Sequence, residues 1–357
     1  MTASGLVTVI GQVMLGIYGL LLLLLVAGVL RTAHRARRAR VTDEVSHEIL
    51  AALADHETAP DDRAAAAALA RIADTARTLR GTEVRLTLMA VATAVGGESL
   101  AALRDVADRL GLIAQAERSA RHRSWVERLL AARFLTALSV TSGTVRLLLR
   151  DPHCAVRAQA AAWVTVNDSP ETVGVLGTLL VDPDPRCRFA AKDTLARLGT
   201  RASAQVESLL RSPDPIVRRS ALEIAGAAGD PVYLPALREI ALTGEPAHQA
   251  LAATALGATG DPEVTGVLRD LLGHPDATVR HHTVTALAAT ADWRHAADIV
   301  PLLHDRSHTV RRAAGMGLLR LGAPGLILLR EAASRDSEES PVAQQILQYH
   351  DFASGRV

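Results

Sequence analysis

The chain has few aromatic side chains, a single lysine and two cysteines. Phe, Trp and Tyr make up 3% of its 357 residues, whereas 49% are hydrophobic, with Ala and Leu predominant. β-Sandwiches and barrels are rich in Val, Ile, Tyr and Phe, so this composition favours short helices packed through small side chains. Cys154 and Cys187 are too few for a disulfide framework. The sequence also lacks the glycine-rich phosphate loop, the serine-hydrolase elbow and the dinucleotide fingerprint.

The distribution of charge argues against nucleic acid as a partner. The formal net charge is only +1. Residues 31–150 contain 19 basic and 14 acidic side chains, whereas the chain from residue 151 onward contains 20 basic and 24 acidic ones. A surface that binds a polyanion concentrates basic residues, and the distal part of this chain is mildly acidic instead.

A long apolar segment opens the chain. Residues 6–30 carry no charge, and a helix needs roughly 20 apolar residues to cross a bilayer. Five arginines follow within ten positions: Arg31, Arg35, Arg37, Arg38 and Arg40. By the positive-inside rule, this pattern predicts a transmembrane anchor over residues 1–30 and a basic juxtamembrane segment over 31–40. The N-terminus would then lie outside the cytoplasmic membrane of a bacterial cell and the remaining chain in the cytosol.

A motif recurs along the second half of the chain. Its copies are Asp151–Arg157, Asp182–Arg188, Ser212–Arg218, Thr243–Gln249, His274–Arg280 and Asp305–Arg311. Their last positions are 31, 30, 31, 31 and 31 residues apart, which indicates a repeat.

A second signal divides each period into two helices. Asp230-Pro231 and Asp261-Pro262 are typical helix starts, because the carboxylate accepts from free backbone N–H groups and proline tolerates the first turn. Gly229 and Gly260 precede them, as is typical of a helix end. Neither helix can bury its apolar stripe alone, so neighbouring units must stack.

The motif, with its Leu-Leu helix end, Asp-Pro-Asp and Val-Arg, resembles HEAT repeats of the kind noted in phycobilin lyases. The resemblance implies an all-α superhelix, an α-α solenoid over residues 143–334. Upstream, residues 41–142 look like a divergent helical or HEAT-like region, and residues 335–357 are predicted to form a C-terminal capping helix.

In that family an aspartate and an arginine of the motif form a ladder of hydrogen bonds between repeats. The resemblance assigns this structural role to Asp151, Arg157, Asp182, Arg188, Arg218, Arg280, Asp305 and Arg311. At Thr243 and Gln249 both partners are missing, so the array is predicted to be softest or to bend there. Asp214 and Asp276 stand two residues after the positions that lack an aspartate.

Family geometry also places the second helix of each unit on the concave wall. Arg219, Glu223, His281 and Arg312 are the polar residues predicted to face a partner there. No cofactor-binding, catalytic or metal-binding residue is predicted. His304 and His308 have metal-ligand spacing, but a helix boundary between them spoils a shared face.

These features predict a membrane-tethered scaffold or adaptor that binds a protein, such as a membrane enzyme, and is not itself an enzyme. One alternative is a lyase-like or metal-dependent HEAT-repeat enzyme. Deoxyhypusine hydroxylases of this repeat type bind iron through His-Glu dipeptides, but here His47-Glu48 and His56-Glu57 both precede the array. A second alternative is a structural array that self-associates.

Overall fold

The computed structural model describes residues 42–79, 81–335 and 341–353, and these residues form helices and turns without a β-strand. The predicted membrane span at 6–30 and its five flanking arginines lie outside them. Within the described ranges, no helix combines the length and apolar character that crossing a membrane requires. The chain divides into two compact units, the first ending at Val140 and the second beginning at Thr141. The predicted boundary at 142–143 lies within a few residues of this division.

The first unit consists of helices of differing length. They are α1 (described from 42 to 57), α2 (Asp62–Arg77), α3 (Thr82–Ala94), α4 (Gly97–Arg109), α5 (Leu112–Ser119) and α6 (Trp125–Ala137). Helix α2 packs on α4, and α3 packs on both α4 and α6. An ion pair of 3.8 Å joins Arg85 of α3 to Glu127 of α6, and the arginine is buried. The ion pair therefore joins two helices of this unit that are separated by α4 and α5 in the sequence.

The second unit repeats a pair of antiparallel helices. Its helices are α7 (Thr144–Leu148), α8 (Cys154–Trp163), α9 (Pro170–Leu179), α10 (Pro185–Leu198), α11 (Ser203–Leu210), α12 (Pro215–Ala228), α13 (Leu234–Thr243), α14 (Pro246–Thr259), α15 (Thr265–Leu271), α16 (Ala277–Ala289), α17 (Ala296–Ile299), α18 (His308–Arg320), α19 (Ala323–Arg335) and α20 (Pro341–Ala353). The odd-numbered helices from α7 to α19 come first in each pair and the even-numbered helices come second. Consecutive second helices pack on one another from α8 to α18, and the first helices cover one side of them.

The predicted helix starts are confirmed in detail. The Asp230 carboxylate accepts a 2.9 Å hydrogen bond from the N–H of Val232, and Asp261 accepts one of 2.8 Å from Glu263. At both places a tight turn of three residues follows the aspartate. The α-helix begins directly after this turn, at Leu234 in one repeat and at Thr265 in the next. The aspartate therefore caps a single turn that leads into the helix.

The predicted helix ends have the left-handed backbone that glycine tolerates. The φ angles of Gly229 and Gly260 are 59° and 65°. Ala291 occupies the same place one period later and adopts a φ of 56°. A residue with a Cβ atom pays roughly 1–2 kcal/mol for this conformation, so the third copy of the turn is strained.

The apolar stripes predicted from the spacing are largely buried. Ala221, Leu222 and Ala225 of α12 are almost inaccessible, as are Leu237 and Ala241 of α13. At the C-terminal end, α20 packs on α18 and α19 and closes the array, as predicted. Only half of its predicted stripe is covered: Val342 and Ile346 are buried, whereas Tyr349 and Phe352 are 64% and 78% exposed. No helix among the described residues covers Tyr349 and Phe352.

Candidate functional site

The second helices of the array approach one another closely. A Cβ atom placed on Gly257 of α14 would lie 2.7 Å from the Cβ of Ala286 in α16, and one on Gly317 of α18 would lie 3.2 Å from the Cβ of Ala288. Gly226 of α12 faces Ala255 in the same way, at 3.5 Å. The first helices contact each other at fewer points. A layer of closely spaced helices beside a looser one curves towards the close side, so the exposed face of the second helices forms the inner wall.

Two complete rungs of the predicted ladder join neighbouring repeats. Arg157 donates two hydrogen bonds of 2.8 Å to the carboxylate of Asp182. Arg280 donates two, of 2.7 and 2.8 Å, to Asp305. The partner aspartate lies 25 residues after its arginine, in the following repeat. The Arg280 side chain is 6% exposed and that of Asp305 is 7% exposed, so this rung is a buried ion pair.

The same arginines also hold their own repeat together. The Nη1 atom of Arg157 donates to the carbonyl of Asp151 at 2.8 Å, and that of Arg280 donates to the carbonyl of His274 at 2.7 Å. Arg188, Arg218 and Arg311 make the equivalent bond to the residue six positions earlier. The arginine thus ties the start of the second helix to the end of the first.

The aspartate and the arginine of one motif do not pair through their side chains in these rungs, because each arginine binds the aspartate of the following repeat. Within one repeat, the arginine binds the backbone carbonyl of the aspartate and not its carboxylate. The carboxylates of Asp151, Asp182 and Asp305 instead accept from the N–H two residues on, at 2.7–2.9 Å. A rung therefore requires an arginine in one repeat and an aspartate in the next.

Ser212 and His274 stand at the aspartate position of the motif. They preserve the hydrogen bond of the turn but form no ion pair with the described residues of the preceding repeat. The Ser212 hydroxyl accepts from the N–H of Asp214 at 3.3 Å, and the His274 ring accepts from that of Asp276 at 3.0 Å. Asp214 and Asp276 do not substitute in the ladder, because each caps its own helix by accepting from Ile216 or Thr278.

In the fourth unit, an uncharged side chain takes the place of the arginine that ties the two helices of a repeat together. The buried amide of Gln249 donates to the carbonyl of Ala241 at 3.0 Å, so the tie between the two helices of the unit survives without a charge. Helix α14 is also rich in buried alanine and packs closely on α12 and α16. The softness expected at this unit stays a prediction, and the close packing of α14 acts against it.

The structure separates the four residues predicted to face a partner. Glu223 of α12 lies between Lys192 of α10, which it contacts directly, and Arg219, whose Nε is 3.2 Å from its carboxylate. Arg219 and Glu223 therefore belong to a network of ion pairs. His281 and Arg312 lie on α16 and α18, and together they line a groove between these helices.

This groove has an apolar floor and a basic rim. It encloses about 670 Å³ and is lined by Ala288, Ala313, Gly317 and Leu319, together with polar residues at its edges. His281, His308, Arg312 and Arg320 supply the basic groups. Met316 lies in the groove with 45% of its surface exposed. The arrangement suits a ligand that presents both apolar and anionic groups.

The sequence selected His281 and Arg312 but missed His308, Met316 and Arg320. These three residues and Arg312 recur every four positions along α18 and therefore lie on one face of the helix. That spacing is visible in the sequence. The opposite side of the groove, on α16, is not visible in the sequence, because it depends on how closely Gly317 approaches Ala288.

The histidines of the last repeats do not form a metal centre. Among the residues that the structure describes, no group of three or more His, Cys, Asp or Glu side chains is placed to hold a metal ion. His304 follows α17, whereas His308 begins α18 and lines the groove.

Comparison with known families identifies the repeat. The model of HEAT repeats matches residues 141–206, 204–288 and 267–348, which together cover more than half of the chain. The chain therefore belongs to the HEAT-repeat family, as the sequence motif indicated. A comparison with curated proteins gives no match.

Several solved structures are similar to parts of this chain at low sequence identity. A structure of the complex of CpcE and CpcF of phycocyanin lyase from Nostoc sp. PCC7120 is 21% identical, over 58% of this chain and 92% of that one, with a TM-score of 0.36. A structure of importin beta is 14% identical, over 80% of this chain and 50% of that one, with a TM-score of 0.47. Both are similar to this chain in fold alone.

Proposed function

We propose that this chain is a scaffold that binds a protein partner along the inner wall of its HEAT-repeat array. The observation that carries the proposal is the groove between α16 and α18, which leaves Met316 exposed above an apolar floor. Monomeric proteins rarely leave apolar grooves open unless these bind a ligand or partner. The groove is also part of a curved layer of helices, a form that presents a long binding surface.

Binding suits the residues of this wall better than catalysis does. The described residues that line the groove are two histidines, two arginines, two threonines and apolar residues, and none of them is a carboxylate or a cysteine. Acid–base chemistry most often uses a histidine, and a catalytic histidine is in turn oriented by a third group, for which the described lining offers no carboxylate. The proposal therefore assigns the groove to recognition and assigns no reaction to the chain.

The proposal places the array at the inner face of the cytoplasmic membrane. It is supported by the uncharged segment at 6–30 and by the five arginines that follow it. A tether raises the effective concentration of a second membrane-bound protein, so moderate contacts in the groove suffice for binding. A membrane enzyme is a partner of this kind.

Site-specific photocrosslinking tests the binding function. A photoreactive residue in place of Met316, in the full chain in its native membranes, is expected to give one discrete protein adduct. The matched control is the same residue in place of Leu242, which is 55% exposed on the first-helix layer. Adducts of the same size and yield at both positions, or no adduct at Met316, would contradict the proposal.

A further inference from the structure

The groove continues beyond α18 towards the end of the array. A second cavity of about 350 Å³ lies between α18 and α20 and is lined by Gln345, Ile346 and Tyr349. His308, Arg312 and Met316 line both cavities. Because packed helices lie about 8–10 Å apart, a groove across three helices is about 20 Å long. An extended segment of about six residues has this length.

The charge of this groove differs from that of the rest of the array. Among the residues that the structure describes, none that lines either cavity is acidic. Arg312 and Arg320 are both exposed, and neither forms an ion pair with any residue in the described ranges. Several exposed arginines of the array have carboxylate partners, as in the pairs Arg238–Glu263 and Arg269–Asp298. The array as a whole is mildly acidic, so the basic groove is a local feature.

The placement of apolar and basic groups defines what would fill the groove. Met316 lies between Arg312 and Arg320, one helical turn from each. Across α18, Tyr349 and Ile346 continue the apolar lining. An occupant must therefore bring carboxylates to the two arginines and an apolar side chain to the methionine between them.

We infer that this groove binds an acidic segment of the partner protein, with carboxylates on Arg312 and Arg320 and an apolar side chain against Met316. The inference rests on the proposed binding function and specifies the chemistry of the partner. Charge complementarity supplies its specificity, since like charges placed against the two arginines would oppose binding.

Synthetic peptides on the full chain in neutral phosphatidylcholine nanodiscs test this inference. A fluorescent eight-residue peptide with Glu, Leu and Glu at alternate positions and Ser between them (the Glu–Leu peptide) presents these three side chains on one face when it is extended. It is expected to bind at least about tenfold more tightly than the corresponding Lys–Leu peptide. The double variant Arg312→Glu with Arg320→Glu should weaken the Glu–Leu peptide by about tenfold or more. The matched control reverses Arg121 and Arg150, which are exposed and outside the groove, and should leave affinity within about twofold.

Several outcomes overturn the inference. The first is that the two peptides bind equally well, and the second is that the control variant weakens binding as much as the double variant does. The third is that a short oligonucleotide binds as tightly as the Glu–Leu peptide and depends on the same two arginines. If these occur while Met316 still captures a protein in membranes, the binding function stands and the acidic partner is wrong. If the peptide behaves as expected and Met316 captures nothing, the proposed function is wrong and the groove has another use.

Discussion

Replacing Arg280 by methionine is expected to lower the free energy of unfolding of the array by about 3–5 kcal/mol. The change removes two hydrogen bonds to Asp305 and two to the carbonyls of His274 and Pro275. It leaves the Asp305 carboxylate 7% exposed without its counter-ion, and a buried unpaired charge is the costly part. Urea unfolding followed by circular dichroism measures the difference.

Arg218→Met is the matched control for this substitution. Arg218 occupies the same position two repeats earlier and donates both of its described hydrogen bonds to the Ser212 carbonyl, without a carboxylate. Its loss is expected to cost about 1 kcal/mol. Equal effects of the two substitutions would show that the rung between repeats contributes nothing.

The buried rung also predicts how the effect of Arg280→Met depends on pH. The hydrogen bonds from Arg280 hold the pKa of Asp305 below its ordinary value. A carboxyl whose pKa is lowered by folding stabilises the folded state above its unfolded pKa of about 4, and this stabilisation is lost as the pH falls through the folded pKa. The difference in stability between the wild type and Arg280→Met should therefore be largest near neutral pH and shrink below about pH 4. If the difference in stability does not change with pH, it does not arise from the ion pair between Arg280 and Asp305.

Gly257→Ala is expected to destabilise the array by about 1–3 kcal/mol although alanine is the better helix former. The new methyl group would lie 2.7 Å from the Cβ of Ala286 and 2.9 Å from its Cα and carbonyl oxygen, so α14 and α16 must move apart. Because the side chain of Ala286 is so short, most of the clash is with backbone, which has little freedom to yield. Thermal unfolding measures the effect.

Gly266→Ala provides the control for the packing of the second helices. Gly266 lies in α15, on the first-helix layer, and a Cβ atom there has no neighbour within 4 Å. The substitution is expected to raise stability by about 0.5–1 kcal/mol through helix propensity. If both substitutions stabilise the chain, the close approach of α14 and α16 does not hold the layer together.

The sequence predicts the periodic part of this molecule well because the same local chemistry recurs in each repeat. A period of 31, an Asp cap and a glycine at the helix end each act within a few residues, and Asp230, Gly229 and Gly260 behave as predicted. The alternating pair of helices and the closing helix follow from these signals.

Features that depend on contacts between repeats were harder to predict. The resemblance implied a ladder between repeats, but the motif does not show that its rungs join Arg157 to Asp182, 25 residues later. The groove depends on the gap between α16 and α18, which small residues such as Gly317 and Ala288 set. Arg219 and Glu223 were predicted to be available to a partner, but they belong to a network of ion pairs with Lys192. That network crosses between two helices, so the sequence does not show it.

The proposed tethering of the scaffold requires the array to lie inside the cell, behind a membrane span. Lys192 is the only lysine of the chain, and its side chain is 32% exposed beside Glu223. A membrane-impermeant amine reagent therefore reports the side of the membrane on which the array lies. Lys192 is expected to stay unlabelled in intact spheroplasts and to become labelled once they are permeabilised. Labelling of Lys192 in intact spheroplasts would contradict the proposed location.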